Sequence, residues 1–151
     1  RPGIGIYGVN GSGENIILNS KNLTLPVKLH APIIQIKEVG IGEAISYGGI
    51  DITTRKSLLA TIGVGYADGW IRQLKKNTSI NIDKEECKIM GNITMDSFVL
   101  DITKIKNKLL KEGDYICLLD NCNIKNLLKE LDLISYELFT LMGPRLIREY
   151  K

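Results

Sequence analysis

The chain has 151 residues, of which 44% are hydrophobic and 25% charged, and its formal net charge is +3. That is enough chain for about one domain with a packed core. So mild and scattered a charge argues against nucleic-acid binding, and no apolar run approaches the roughly 18 residues that cross a bilayer. The densest basic cluster, Lys104, Lys106, Lys108 and Lys111, is interleaved with Ile105, Leu109 and Leu110 and reads as a solvated face. Three cysteines, Cys87, Cys117 and Cys122, form no repeated close pair, so no disulfide framework is expected and a reducing cytoplasm suits them. His30 is the only histidine and stands far from them in sequence, so no metal site is expected. The chain opens Arg1-Pro2-Gly3, with no methionine and no basic-then-apolar leader, and we expect a fragment or processed piece.

In chain order, Ile4-Gly5-Ile6-Tyr7 predicts a short strand or strand end, and the glycines of residues 8–13 predict a loop. Residues 10–15 are the candidate domain boundary, dividing 1–10 from 11–151. Val27 to Val39 predicts a long extended segment, in which Ile34 and Ile36 alternate with Gln35 and Lys37. Pro32 within it points to an edge position or a bulge. Ser57 to Val64 is a nearly continuous apolar strand. Ile80 to Asp83 alternates and leads to a charged turn at Lys84-Glu85-Glu86. Cys87 to Met95 and Ser97 to Ile102 predict two strands joined at Asp96. Glu112-Gly113-Asp114 is a turn before the strand Tyr115 to Leu119, where Cys117 reads as a core residue. Asn123 can cap a helix from Ile124 to about Leu131, and a second short helix over Tyr136 to Met142 stops at Gly143-Pro144. Many short strands with glycine turns and one or two short helices predict a mainly β fold, a sandwich or barrel.

Two stretches carry chemistry. Gly42-Glu43-Ala44-Ile45-Ser46-Tyr47-Gly48-Gly49 and Gly63-Val64-Gly65-Tyr66-Ala67-Asp68-Gly69-Trp70 each set a tyrosine among small, flexible residues. A phenol, ordinarily of pKa about 10, serves as a general base when its surroundings favour the phenolate. The plainer alternative for Tyr47 is a strand-end tyrosine with a packed ring and a wet hydroxyl. For Asp68 and Arg72 the plainer alternative is a turn closed by an ion pair.

The ordered set of motifs resembles the C-terminal domain of fold-type III, pyridoxal-phosphate-dependent alanine racemases. The resemblance rests on Arg1-Pro2-Gly3-Ile4-Gly5-Ile6-Tyr7-Gly8, Ile45-Ser46-Tyr47-Gly48, Gly65-Tyr66-Ala67-Asp68-Gly69-Trp70, Gly91-Asn92-Ile93-Thr94-Met95-Asp96, Ile134-Ser135-Tyr136-Glu137 and the closing Pro144-Arg145-Leu146-Ile147-Arg148-Glu149-Tyr150. It implies that residues 1–10 are the last strand of an N-terminal α/β barrel and that 11–151 are the mainly β second domain. It further implies a cytoplasmic head-to-tail homodimer that interconverts L- and D-alanine, with each site shared between one barrel and the partner's C-terminal domain. The D-alanine would supply peptidoglycan.

Residue by residue, the resemblance makes Tyr47 the base that takes the α-proton of the L-enantiomer. Arg1 matches the arginine at the cofactor's pyridine nitrogen. A guanidinium keeps its proton, so it would donate a hydrogen bond and leave that nitrogen unprotonated. Gly3 and Ile4 match residues whose backbone N–H groups touch the phosphate, and Tyr136 matches a tyrosine whose hydroxyl reaches it. Met95 matches the residue whose backbone N–H holds the substrate carboxylate, although its side chain could equally be strand core. Tyr66 and Asp96 match the substrate corridor, whereas Trp70 reads as a packing or interface anchor. The lysine that attaches pyridoxal phosphate belongs to the barrel and has no counterpart here, so the chain alone is expected to be inactive. Related membrane-bound serine racemases carry asparagine where this chain has Tyr136, and the bulkier phenol favours alanine. The alternatives are a serine or other amino-acid racemase, or a non-catalytic association module.

Overall fold

The computed structural model describes residues 3–7, 25–75, 78–105, 110–120, 124, 127–128 and 135–150. Arg1, Asn123 and Cys122 lie outside the described residues, as do the glycine loop at 8–13 and the candidate boundary at 10–15. Among the described residues, eight strands dominate: β1 (Leu29–Val39), β2 (Ala44–Ile45), β3 (Asp51–Ile52), β4 (Ser57–Ile62), β5 (Ser79–Ile82), β6 (Glu85–Met90), β7 (Phe98–Asp101) and β8 (Tyr115–Leu119). Six of them form an antiparallel sheet in the order β5-β6-β7-β4-β1-β8. Its outer strands β5 and β8 approach each other, so the sheet is nearly closed like a barrel. The fold is mainly β, as the sequence predicts. Among the described residues no helix is long and apolar enough to cross a membrane.

Alternation places the core. In β5 and β6 the buried side chains are Ile80, Ile82, Cys87 and Ile89, while Asn81, Glu86 and Lys88 face outward. Asp83 and Lys84 both take positive φ, 50° and 70°. This left-handed pair makes a two-residue turn whose twist matches the flanking strands. The chain therefore turns at Asp83-Lys84, and Glu85-Glu86 begin β6 rather than completing the turn. β1 changes phase along its length. Ala31 and Ile33 are buried, the register then shifts between Ile33 and Gln35, and Ile34 is left exposed with Ile36 half-buried. The shift follows Pro32, which has no N–H for the ladder. β1 lies between β4 and β8, so Pro32 is not on an edge strand; it pairs with Tyr115, and the register shift lies just beyond it.

Trp70, buried to 1%, stacks on Phe98 with ring centroids 5.8 Å apart, and Leu74, Ile62 and Leu100 share the cluster. Trp70 is thus a core anchor. Ile124, Leu127 and Leu128 are helical and buried against the same core. The C-terminal helix Ser135–Leu141 stops just before Gly143-Pro144. Cys117 is only half-buried, and of the two described thiols the fully buried one is Cys87.

Two further predictions need correction. Residues 4–7 form a 3-10 helix rather than a strand, stacked through Tyr7 on Phe139 of the C-terminal helix at 4.8 Å. The predicted strand from Cys87 to Met95 ends at Met90. Gly91, at φ 71°, leaves the sheet, and 91–97 is a loop.

Burial, then the nearby Asp101 carboxylate, pushes the Cys87 thiol up from 9.0 to about 11. The folded state holds the neutral thiol, so this contribution to stability is complete below about pH 9 and is lost as pH rises towards about 11. The urea midpoint should therefore fall over that interval more steeply in the natural protein than in Cys87→Ala. Equal slopes would show that the thiol plays no part.

Candidate functional site

The Tyr47 segment is a small hairpin. β2 pairs with β3 through Ala44–Ile52 and Ile45–Asp51, and the chain turns between them. Ser46, Gly48 and Gly49 take positive φ of 63°, 81° and 55°, which a tight reversal requires. The conformation presents Tyr47 outward, 81% exposed, while Ile45 is buried beneath it. The sequence reading does not separate this hairpin as strands, because each has only two residues and no period can show.

The hairpin sits on the 91–96 loop. The Ser46 hydroxyl donates to the Asn92 carbonyl at 3.1 Å, and the Asn92 amide donates back to the Tyr47 carbonyl at 2.9 Å. Asp51 accepts the Gly91 N–H at 2.6 Å. A Cβ on Gly91 would lie 2.4 Å from Ser46 Cβ, so only glycine permits this approach. Downstream in the same loop Met95 is exposed. Its side chain is not strand core, and its main chain is what the structure offers.

The Tyr66 turn docks on the other side of that loop. The Tyr66 N–H donates to the Thr94 carbonyl and the Ala67 N–H to the Met95 carbonyl, both at 3.0 Å. Tyr66–Asp68 is one 3-10 turn, closed by Asp68, which accepts the Gly65 N–H at 2.9 Å. Asp68 is 8% exposed and therefore needs a cationic partner. That partner is Arg145, with Nε 3.3 Å from Asp68, and not Arg72, which is exposed on the following 3-10 helix. Arg145 also donates to Asp96 at 2.6 Å. Its own proton is held more tightly, first by the Asp96 hydrogen bond and then by the Asp68 charge. One guanidinium thereby ties the C-terminal segment to both motif loops. Sequence reasoning gave Arg145 no role, since no local signal pairs residues so far apart.

Of the predicted cofactor residues, Arg1 lies outside the described residues and only the main chain of Ile4 is described. Gly3 and Tyr136 do meet: a Cβ on Gly3 would lie 3.6 Å from the Tyr136 hydroxyl. Tyr136 is 49% exposed and so is not a core aromatic. The C-terminal helix that carries it reaches the Tyr66 turn at its other end, where a Cβ on Gly69 would strike the Leu141 carbonyl at 2.3 Å. The predicted residues thus fall into two groups. Met95 and Asp96 lie in the 91–97 loop, on which the Tyr47 hairpin and the Tyr66 turn are bonded, and Gly3 lies near Tyr136 of the C-terminal helix.

Residues 26–150 match the family described as alanine racemase, C-terminal domain. The chain belongs to this family. It is 35% identical over 147 residues to the alanine racemase of Vesicomyosocius okutanii, an alignment covering 96% of this chain and 40% of that protein. It is similar in structure to the Bartonella henselae alanine racemase with covalently bound pyridoxal phosphate, at a TM-score of 0.86 and 32% identity, covering 100% of this chain and 41% of the other. The Clostridium difficile 630 alanine racemase in complex with cycloserine matches at 0.80 and 33% identity, over 95% of this chain and 38% of the other. The chain thus spans about 40% of the length of the relatives it matches.

The Tyr66 turn of this domain is held on the Met95 loop by close main-chain approach. A Cβ on Gly65 would lie 2.4 Å from the Met95 carbonyl carbon and oxygen. Gly65→Ala should cost about 1–3 kcal/mol in urea unfolding. An unchanged midpoint would mean that the Tyr66 turn is not packed on the Met95 loop.

Proposed function

We propose that this chain is the C-terminal domain of a cytoplasmic, homodimeric alanine racemase that uses pyridoxal phosphate and supplies D-alanine for peptidoglycan. The observation that carries the reading is the presentation of Tyr47. A hairpin of left-handed residues holds a mostly exposed phenol beside the exposed Met95 loop, within a domain of this family. A module that served only for packing has no need to expose the phenol in this way.

Gly3 and Tyr136 fit the phosphate of the cofactor. The bare glycine leaves the main chain open to a close approach, and the phenolic hydroxyl within reach of it is a hydrogen-bond donor. Arg1 is the proposed partner of the pyridine nitrogen. Once bound, pyridoxal phosphate supplies an electron sink for the pair left on the α-carbon.

Tyr47 acts from the domain's surface on a site completed by a second subunit. It takes the α-proton of L-alanine onto its phenolate oxygen and returns it in the reverse direction. The Met95 N–H holds the substrate carboxylate. Tyr66 and Asp96 line the approach, and Arg145 keeps Asp96 in place through their hydrogen bond. Tyr136 narrows the pocket towards alanine rather than serine.

In the full-length protein loaded with pyridoxal phosphate, NMR in D₂O should show α-proton exchange of L-alanine together with appearance of D-alanine. Tyr47→Phe should reduce that exchange by at least about a hundredfold. Near-normal exchange in the variant would reject Tyr47 as the base, and no exchange in the folded, loaded natural protein would reject alanine. Tyr136→Asn should raise kcat/KM for serine relative to alanine; an unchanged ratio would remove Tyr136 from substrate selection.

A further inference from the structure

We infer that Asn92 is a positioning residue for Tyr47, and that its side-chain amide sets where the phenol stands relative to the Met95 main chain. The inference rests on the racemase reading above. Tyr47 exposes 81% of its surface, so its ring is not fixed by packing within this chain. Its main chain is gripped instead, by the Asn92 amide on the Tyr47 carbonyl at 2.9 Å. The grip is reciprocal, since the neighbouring Ser46 hydroxyl reaches the Asn92 carbonyl at 3.1 Å.

Three features make this clasp more than a surface contact. Ser46 is held at φ 63°, a region costly for a residue with a side chain, so the neighbouring contacts must over-determine it. Gly91 seats the hairpin base, with Asp51 on its N–H and no space for a Cβ against Ser46. The same short loop then continues to Met95, whose carbonyl is pinned by the Ala67 N–H. Base and carboxylate holder therefore belong to one rigid piece, and Asn92 joins its halves. Removing the amide leaves the hairpin attached through Ser46 and Asp51 but free to tilt, which moves the phenol at its tip.

In the L-to-D direction the bond from the α-carbon to hydrogen breaks, the proton forms an O–H bond with the Tyr47 phenolate, and the electron pair stays with the substrate. A tilted phenol slows this step in both directions, because D-to-L turnover must return the proton from the same oxygen. Steps on the other face are untouched. Loss of alignment therefore has a directional signature that loss of folded protein lacks.

The test uses the full-length, cofactor-loaded protein and compares Asn92→Ala, Ser46→Ala and Tyr47→Phe with the natural protein. Asn92→Ala should lower kcat about tenfold or more with little change in KM. The isotope effect measured with α-deuterated L-alanine should rise, and that with α-deuterated D-alanine should fall towards one. Ser46→Ala should move both isotope effects in the same directions. A fall in kcat with both isotope effects unchanged would reduce Asn92 to a structural residue and overturn the inference. Natural kinetics in Asn92→Ala, with turnover abolished in Tyr47→Phe, would overturn it while leaving the racemase reading intact. Near-normal turnover in Tyr47→Phe would overturn the reading itself.

Discussion

The main-chain carbonyls of Thr94 and Met95, taken by N–H groups of the Tyr66 turn, are the contacts on which the functional side of this domain depends. A loop leaving a strand normally has its polar main chain in water, and its position is correspondingly soft. Here the loop is held from two sides. The Tyr66 turn supplies donors to its later half, and the Tyr47 hairpin is pinned on its earlier half through Gly91 and Asn92. Close approach on both sides needs glycine, at 65 and at 91, because a side chain at either would overlap main chain.

The sheet is what makes this arrangement possible. β6 and β7 deliver and receive the loop, and their pairing through Ile89–Leu100 and Met90–Val99 sets its ends. The nearly closed sheet buries Trp70 and Phe98, and the Trp70 N–H bonds the Gly65 carbonyl, so the Tyr66 turn is anchored in the core through the residues that follow it. Asp68 and Arg145 complete the anchoring from the C-terminal segment. A mostly buried carboxylate is tolerable because a guanidinium and a backbone N–H both meet it. The domain thus carries the exposed Tyr47, Tyr66 and Met95 on loops that are tied to its core.

Much of this was legible in the residues. Alternation in Ile80-Asn81-Ile82 marks a strand because a half-buried pleat has period two, and the apolar run after the Glu112-Gly113-Asp114 turn marks another. Gly113 and the Gly143-Pro144 pair mark a turn and a helix end by their backbone demands. The ordered motifs point to the family. Where local reading failed, the cause was local too. Ile93 and Met95 have the composition of a strand, but Gly91 at positive φ has already taken the chain out of the sheet. Ile4-Gly5-Ile6-Tyr7 reads as extended, yet Tyr7 gains a ring contact with Phe139 that composition cannot show.

Pairing across the chain was decided elsewhere. Asp68 and Arg72 are near in sequence and would make an ordinary turn pair, but the fold brings Arg145 to Asp68 and turns Arg72 outward. Nothing local to Asn92 announces that it meets Tyr47, since the two are 45 residues apart. The sequence by itself determined the longer strands, most of the turns and the family, because side-chain period and backbone freedom are properties of neighbouring residues. Only the tertiary structure decided which loop holds which, because that depends on sheet order, and sheet order brings together groups between which the chain carries no local signal.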